Sequence, residues 1–175
     1  MAIYYGDGSN SNTGRVIKVS YADSSAYGRT SVSATTGGGE SGQQVLWTAL
    51  THSKVSSTSH LRCQMHITGH GKYSYPYYGT GVRADYSGGN YTTFEGSNYS
   101  IGAYIGGGQV LWLIDYTFTP SNLNSQTGNV TFKAIFRSNG GGNDRPFNIW
   151  NPNASDDNRG FQKQSVCIVT EFVPN

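Results

Sequence analysis

Period-two alternation is the feature that most narrows what this chain can fold into. Leu61, Cys63, Met65 and Ile67 alternate with Arg62, Gln64 and His66, the pattern of a strand with one buried and one wetted face. Val130, Phe132, Ala134 and Phe136 alternate in the same way with Thr131, Lys133, Ile135 and Arg137. The run from Gln109 to Phe118 has apolar residues on both parities, with Val110, Trp112, Ile114, Tyr116 and Phe118 against Leu111 and Leu113. That pattern predicts a central strand. Ser165 to Val173 places Val166, Ile168 and Phe172 on one parity and Cys167, Val169 and Val173 on the other, which predicts a closing strand covered on both sides. Shorter strands are expected at Arg15 to Tyr21, Val45 to Leu50, Gly81 to Tyr86, Asn98 to Ile105 and Phe147 to Trp150. Gly, Asn and Ser interrupt every window that could form an amphipathic helix.

Turn clusters separate these runs: Gly37-Gly38-Gly39, Ser87-Gly88-Gly89-Asn90, Gly106-Gly107-Gly108, Gly140-Gly141-Gly142 and Asn151-Pro152-Asn153. Such residues accept tight reversals and punctuate an antiparallel sheet. With 175 residues, 24 of them Gly and 13 of them Tyr, the chain fits one all-β sandwich or barrel. We divide it into an extended N-terminal attachment peptide, residues 1–14, and a single antiparallel β-sandwich domain, residues 15–175.

The formal net charge is only +2, and Lys and Arg do not cluster, so no phosphate-binding footprint is seen and no nucleic-acid partner is expected. No apolar run reaches the length of a membrane span, and no membrane insertion is expected. The opening residues do not follow the charged-then-apolar layout of a secretory signal, so synthesis in a cytoplasm is expected. In that compartment Cys63 and Cys167, which lie 104 residues apart, are expected to be reduced, buried thiols.

Several residue groups invite chemistry without assembling it. His60 and His66 share one strand parity and His70 follows closely, but they stand among Arg62 and Gln64 with no nearby carboxylate to orient them. Asp7 to Asn12 faintly resembles a calcium loop, yet offers one carboxylate where several are needed. No metal or other cofactor is expected. Asp144, Asp156 and Asp157 lie around Trp150, and carboxylates beside aromatics are what a glycosidase would use. An Asn/Asp-rich solvated loop accounts for them equally simply. No Gly-x-Ser-x-Gly elbow and no phosphate-binding loop is present, so no catalytic residue is assigned.

Two regions remain as candidate binding elements. One is the opening peptide, in which Ile3, Tyr4, Tyr5 and Asp7 precede the strand-like Arg15 to Val19 and are read as attachment residues. The other is a tyrosine cluster, Tyr73, Tyr75, Tyr77, Tyr78, Tyr86, Tyr91 and Tyr99, set among Gly, Ser and Asn. Tyrosine with small polar residues suits adaptable recognition, and aromatic faces stack on sugar rings, which makes a host-surface glycan one candidate ligand. The same rings would equally serve packing at a subunit interface or along a sandwich edge.

The opening Met1 to Ser11 followed by Gly14-Arg15-Val16-Ile17 resembles the start of a family of virion structural, tail-fibre-like proteins of cyanophages and other marine tailed phages. Ala49 to Met65, Asn129 to Ser138 and Ser165 to Val173 resemble further strands of that family, whereas Gly71 to Gly108 departs from its pattern. The resemblance implies a non-enzymatic protein of the virion surface with a jelly-roll-like fold. It also implies other virion proteins as partners and a homo-oligomer, with a trimer favoured. Within that role, a fibre-like or receptor-binding module attached through its N-terminus stands beside a capsid decoration or cement protein. A carbohydrate-active hydrolase is the reading from a different class.

Overall fold

The computed structural model describes residues 14–23, 30–34, 44–71, 78–94, 109–138, 145–149 and 165–174. Ten strands run through them: β1 (Arg15–Asp23), β2 (Thr30–Ala34), β3 (Gln44–Lys54), β4 (His60–Gly71), β5 (Tyr78–Tyr86), β6 (Gly89–Phe94), β7 (Gln109–Phe118), β8 (Gly128–Ser138), β9 (Arg145–Ile149) and β10 (Val166–Val173). The expected strand over Asn98 to Ile105 lies outside the described residues. β2 and β6 are additions that the alternation did not reveal, because each is short and dominated by Thr, Ser, Gly or Asn.

The pairing has a simple order. β1 pairs with β10, β2 with β9, β3 with β8, β4 with β7 and β5 with β6, all antiparallel. The chain is therefore one long hairpin whose tip is the Ser87-Gly88 reversal between Tyr86 and Gly89. Gly88 sits there at φ +89°, a conformation that glycine adopts without the steric penalty of a Cβ. Rolling the hairpin brings β10 beside β4 and β8 beside β5. Two sheets result, sheet A with β1-β10-β4 and then β7, extended by β9 and β2, and sheet B in the order β3-β8-β5-β6. A hairpin rolled so that its outer strands flank its inner ones is a jelly roll. The fold is the all-β antiparallel sandwich that the alternation and turn spacing predict.

Burial follows parity where the alternation is clean. Leu61, Cys63, Met65 and Ile67 of β4 are all fully buried, as are Val130, Phe132 and Ala134 of β8. Together with Leu46, Trp47, Val82, Ala84, Ile114, Phe118, Leu123, Cys167 and Val169 they form the core between the sheets. The Cys63 and Cys167 sulfurs are unbridged and 4.0 Å apart within it.

Two expectations need correction. β7 is not central: among the described residues it pairs only with β4, and Leu113, which made its second face look apolar, is 61% exposed. A two-sided apolar pattern can signal an exposed hydrophobic surface as readily as a second buried face. β10 is central, between β1 and β4, but its burial is one-sided. Cys167, Val169 and Glu171 point into the core, while Val166, Ile168, Thr170 and Phe172 are half-buried on the outer face. The parity that buries Cys167 and Val169 also buries a carboxylate.

Candidate functional site

Glu171 is the centre of the most organised polar cluster in the described residues. Its side chain is fully buried, and it reaches from β10 under the turn that joins β3 to β4. The Val55 amide donates to both carboxylate oxygens at 2.9 and 3.1 Å, and the Ser56 amide to Oε1 at 3.0 Å. Ser59 Oγ lies 2.5 Å from Oε1 and 2.8 Å from the Ser56 carbonyl, so one hydroxyl proton is shared between two acceptors. His52 Nε2 stands 3.1 Å from Oε2. Lys54, 2% exposed, donates Nζ to the Ser56 carbonyl. The turn's amides thus satisfy a carboxylate that is itself cut off from water.

The row continues outward. Ser20 Oγ on β1 is 2.9 Å from His52 Nδ1. Burial lowers the pKa of His52, outweighing the nearby Glu171 charge, and Lys18 and Lys54 add to the lowering. The ring is therefore neutral at pH 7, with Nε2–H donating to Glu171 and Nδ1 accepting from the Ser20 hydroxyl. Burial alone would raise the pKa of Glu171. The hydrogen bonds from Ser59, the Ser56 amide, His52 and the Val55 amide outweigh it, and the carboxyl titrates below its ordinary value. Burial also lowers the pKa of Lys54, against the pull of Glu171.

Ser20, His52 and Glu171 thus form a hydrogen-bonded serine–histidine–carboxylate row, and such a row is the working part of many hydrolases. Its setting here differs from theirs. Ser20 sits within the β1–β10 ladder opposite Val169, not on a strand-to-helix elbow. Glu171 is held by a turn as well as by the histidine. What the row does physically is fasten three strands, β1 and β10 of sheet A and β3 of sheet B, along one side of the sandwich. No motif marks it in the sequence, since Glu171 lies 119 residues from His52. The one visible signal is a charged residue on the buried parity of an apolar strand.

This fastening makes stability pH-dependent. Below the ordinary histidine value of 6.5 an unfolded His52 takes up a proton that the folded one refuses. Below the ordinary glutamate value of 4.5 the same holds for Glu171. In both ranges the unfolded state binds more protons, so stability falls as the pH falls, by up to about 1.4 kcal/mol per pH unit for each proton gained on unfolding. We expect the urea midpoint to fall between pH 7.5 and 5.5, and His52→Gln to flatten that part of the curve. A midpoint constant over that interval in the unaltered protein would contradict the assignment of a neutral buried His52.

The opposite side of the sandwich is closed by rings. Tyr91 on β6 and Tyr116 on β7 face each other across the two sheets with centroids 6.3 Å apart and hydroxyls at 3.3 Å. Phe118 meets Tyr116 edge-on at 4.9 Å, Tyr91 at 6.0 Å and Phe132 at 5.4 Å. Burial, aided by Tyr91, pushes the Tyr116 hydroxyl up to about 12. Tyr86 and Tyr91 are half-buried and pack against the core. Tyr78 lies in β5, and Tyr73, Tyr75, Tyr77 and Tyr99 lie outside the described residues. The structure therefore brings Tyr91 to Tyr116 and Phe118, partners that sequence proximity does not suggest.

The remaining candidates are placed as follows. Ile3, Tyr4, Tyr5 and Asp7, and the acidic Asp144, Asp156 and Asp157, lie outside the described residues. His60 stacks on Phe172 at 5.6 Å, and His66 is exposed on the outer face of β4. His70 is in β4. Among the described residues no three His, Cys, Asp or Glu side chains converge as a metal site would require, and no helix is long and apolar enough to cross a membrane.

No protein-family model and no curated protein sequence matches the chain. Among solved structures it is similar to a chain of the infectious bursal disease virus Gt strain, with 10% identity and a TM-score of 0.49 over 90% of this chain and 41% of that one. It is also similar to a chain of the infectious bursal disease virus VP2 subviral particle, with 11% identity and a TM-score of 0.48 over 90% and 38%. A chain of the Gx strain shows 11% identity and a TM-score of 0.48 over 100% and 45%. This chain thus spans less than half the length of the solved chains it matches, and at identities of 10–11% the activity and partners of those chains do not transfer.

Proposed function

We propose that this protein is a non-enzymatic structural component of a virion surface, a fibre-like or receptor-binding module attached through residues 1–14. The observation that carries the reading is the rolled ten-strand hairpin, an architecture that viral capsid and lectin domains share. Fold alone does not dictate function, and two further features agree with this one. The Ser20–His52–Glu171 row is built as a fastening between strands. The sequence of Met1 to Ile17, of two internal segments and of the closing Ser165 to Val173 resembles virion structural proteins of tailed phages. In this reading host glycans are met by the tyrosines between Tyr73 and Tyr99 other than Tyr86 and Tyr91, which pack against the core.

A capsid decoration protein is the second reading, and a specific observation favours it. Val16, Val19 and Tyr21 of β1 are all more than half exposed, an apolar strip suited to packing on a neighbouring subunit. The test is to assemble particles with the full chain or with a variant lacking Ala2 to Thr13, and to locate each with gold-labelled antibody. The deletion lies outside all ten strands, so the variant is expected to fold and to be missing from the particles. Label over the head would select decoration and label on the tail would select the fibre. Equal incorporation of both forms would remove the attachment role from residues 1–14.

A further inference from the structure

The core of the sandwich holds a pair of sulfur nucleophiles that a purely structural role does not require. Cys63 on β4 and Cys167 on β10 are both fully buried, and their sulfurs stand 4.0 Å apart and unbridged. The strands that carry them are antiparallel neighbours, with Cys63 opposite Val169 and Cys167 opposite Met65. Both side chains lie on the inward parity of sheet A, one diagonal step from direct opposition. Among the described residues no third metal-ligating side chain joins them, so the chemistry open to the pair is that of two thiols with each other.

We propose that Cys63 and Cys167 are a reversible redox fastening: a dithiol that a small disulfide oxidant such as oxidised glutathione closes into a crosslink between β4 and β10, and that a thiol reductant reopens. The inference goes beyond the virion reading and stands or falls without it. Diagonal neighbours in an antiparallel pair have Cα atoms about 7–8 Å apart, slightly wider than the separation of about 4.4–6.8 Å usual across a disulfide. Closing the bond therefore takes a rotation of both side chains and a small approach of β10 to β4. A bridge made in that way carries strain, and strained disulfides are the readily reduced ones. That is the physical reason for expecting a bond that opens again.

Neither sulfur is reached from outside the closed sandwich, so the reaction waits for a local opening of the β4 and β10 pairing. One cysteine thiolate then attacks a sulfur of oxidised glutathione and expels a glutathione thiolate, leaving a mixed disulfide. The other cysteine, giving up its proton, attacks the protein sulfur of that mixed disulfide and displaces the second glutathione. The protein loses two electrons and two protons, and the oxidant leaves as two thiols. Glu171 lies further along β10 on the parity of Cys167, and its turn leads into β4. The crosslink thus joins the strand that bears the carboxylate to the strand that follows the turn it holds.

Mass measurement of the full chain after native incubation with excess oxidised glutathione, followed by alkylation, tests this. The expected product is a single chain lighter by about 2 Da with neither cysteine alkylated, a peptide map joining the segments of Cys63 and Cys167, and recovery of both thiols in reduced glutathione. The urea midpoint of the oxidised form is expected to rise by the equivalent of about tenfold or more in the folding equilibrium, because a bridge between residues 104 apart restricts mainly the unfolded chain. Cys63→Ala and Cys167→Ala, treated alike, are expected to show no internal bridge and no such rise. Thiols that still alkylate after oxidation in urea just below the midpoint, where opening is frequent, would overturn the proposal. Chains crosslinked to one another, or carrying bound glutathione in place of the internal bridge, would overturn it too. So would a bridge that stays closed in reduced glutathione or lowers the midpoint.

Discussion

Glu171→Ala is expected to destabilise the protein by about 3–5 kcal/mol, the range seen when one partner of a buried ionic cluster is removed. Several effects add in that direction. The Val55 and Ser56 amides lose their acceptor, and each donor left without a partner in the folded state costs up to about 1–3 kcal/mol. Lys54, 2% exposed, loses its nearest anion. His52 loses the acceptor that orients its ring. Domains of this kind have total stabilities of about 5–15 kcal/mol, so the variant should sit near its unfolding threshold at 37 °C. Glu171→Gln separates charge from shape: its amide oxygen still accepts from the turn, while its NH₂ meets a donor at His52 or Ser59. It should fall between the two. Chemical denaturation of the three proteins at pH 7.5 measures this. A loss below about 1 kcal/mol for Glu171→Ala would mean that the turn is held by something other than the carboxylate.

Phe118→Ala should cost a similar amount, about 3–5 kcal/mol, by a different mechanism. Phe118 is fully buried and joins Tyr116, Tyr91 and Phe132 edge-on. Removing it leaves a cavity that these rings cannot fill without breaking their mutual geometry, so the lost transfer energy and the cavity term add. The position magnifies the effect, because β7 is held within its sheet by β4 alone among the described residues. Phe118→Leu preserves most of the volume and should cost less than about 1.5 kcal/mol. The near-ultraviolet circular dichroism of the tyrosines should collapse in the alanine variant and persist in the leucine one. Equal midpoints for the alanine and unaltered proteins would show that β7 is dispensable to the cooperative unit.

The two variants probe opposite sides of one sandwich. The β1 and β3 side is closed by a polar fastening and the β6 and β7 side by aromatic rings. A jelly roll has to close both open sides between its sheets, and this chain does so with two chemistries that respond differently to acid. Lowering the pH should loosen the His52 and Glu171 side first and leave the ring side in place, since Tyr116 titrates far to the alkaline end at about 12.

What the sequence determined by itself is the local part of this account. Leu61 to Ile67 and Val130 to Ala134 declare their buried faces because strand parity is a property of neighbouring residues, and a two-residue period needs no partner to be legible. The reversal at Ser87-Gly88 is likewise written in the residues that make it. The all-β class follows from composition and turn spacing. Only the tertiary structure decided the rest. Leu113 looks the same in sequence whether the face it points to is covered or open, and its pairing with His66 puts it on the outer face of sheet A, where it is exposed. Tyr91 and Tyr116 meet because the rolled hairpin brings β6 and β7 to the same side of the sandwich. Ser20, His52 and Glu171 become one hydrogen-bonded row only when β1, β3 and β10 converge, and the sequence marks it only by a carboxylate on the buried parity of an apolar strand. Parity is short-ranged, whereas the burial of a charge depends on which distant donors arrive to satisfy it.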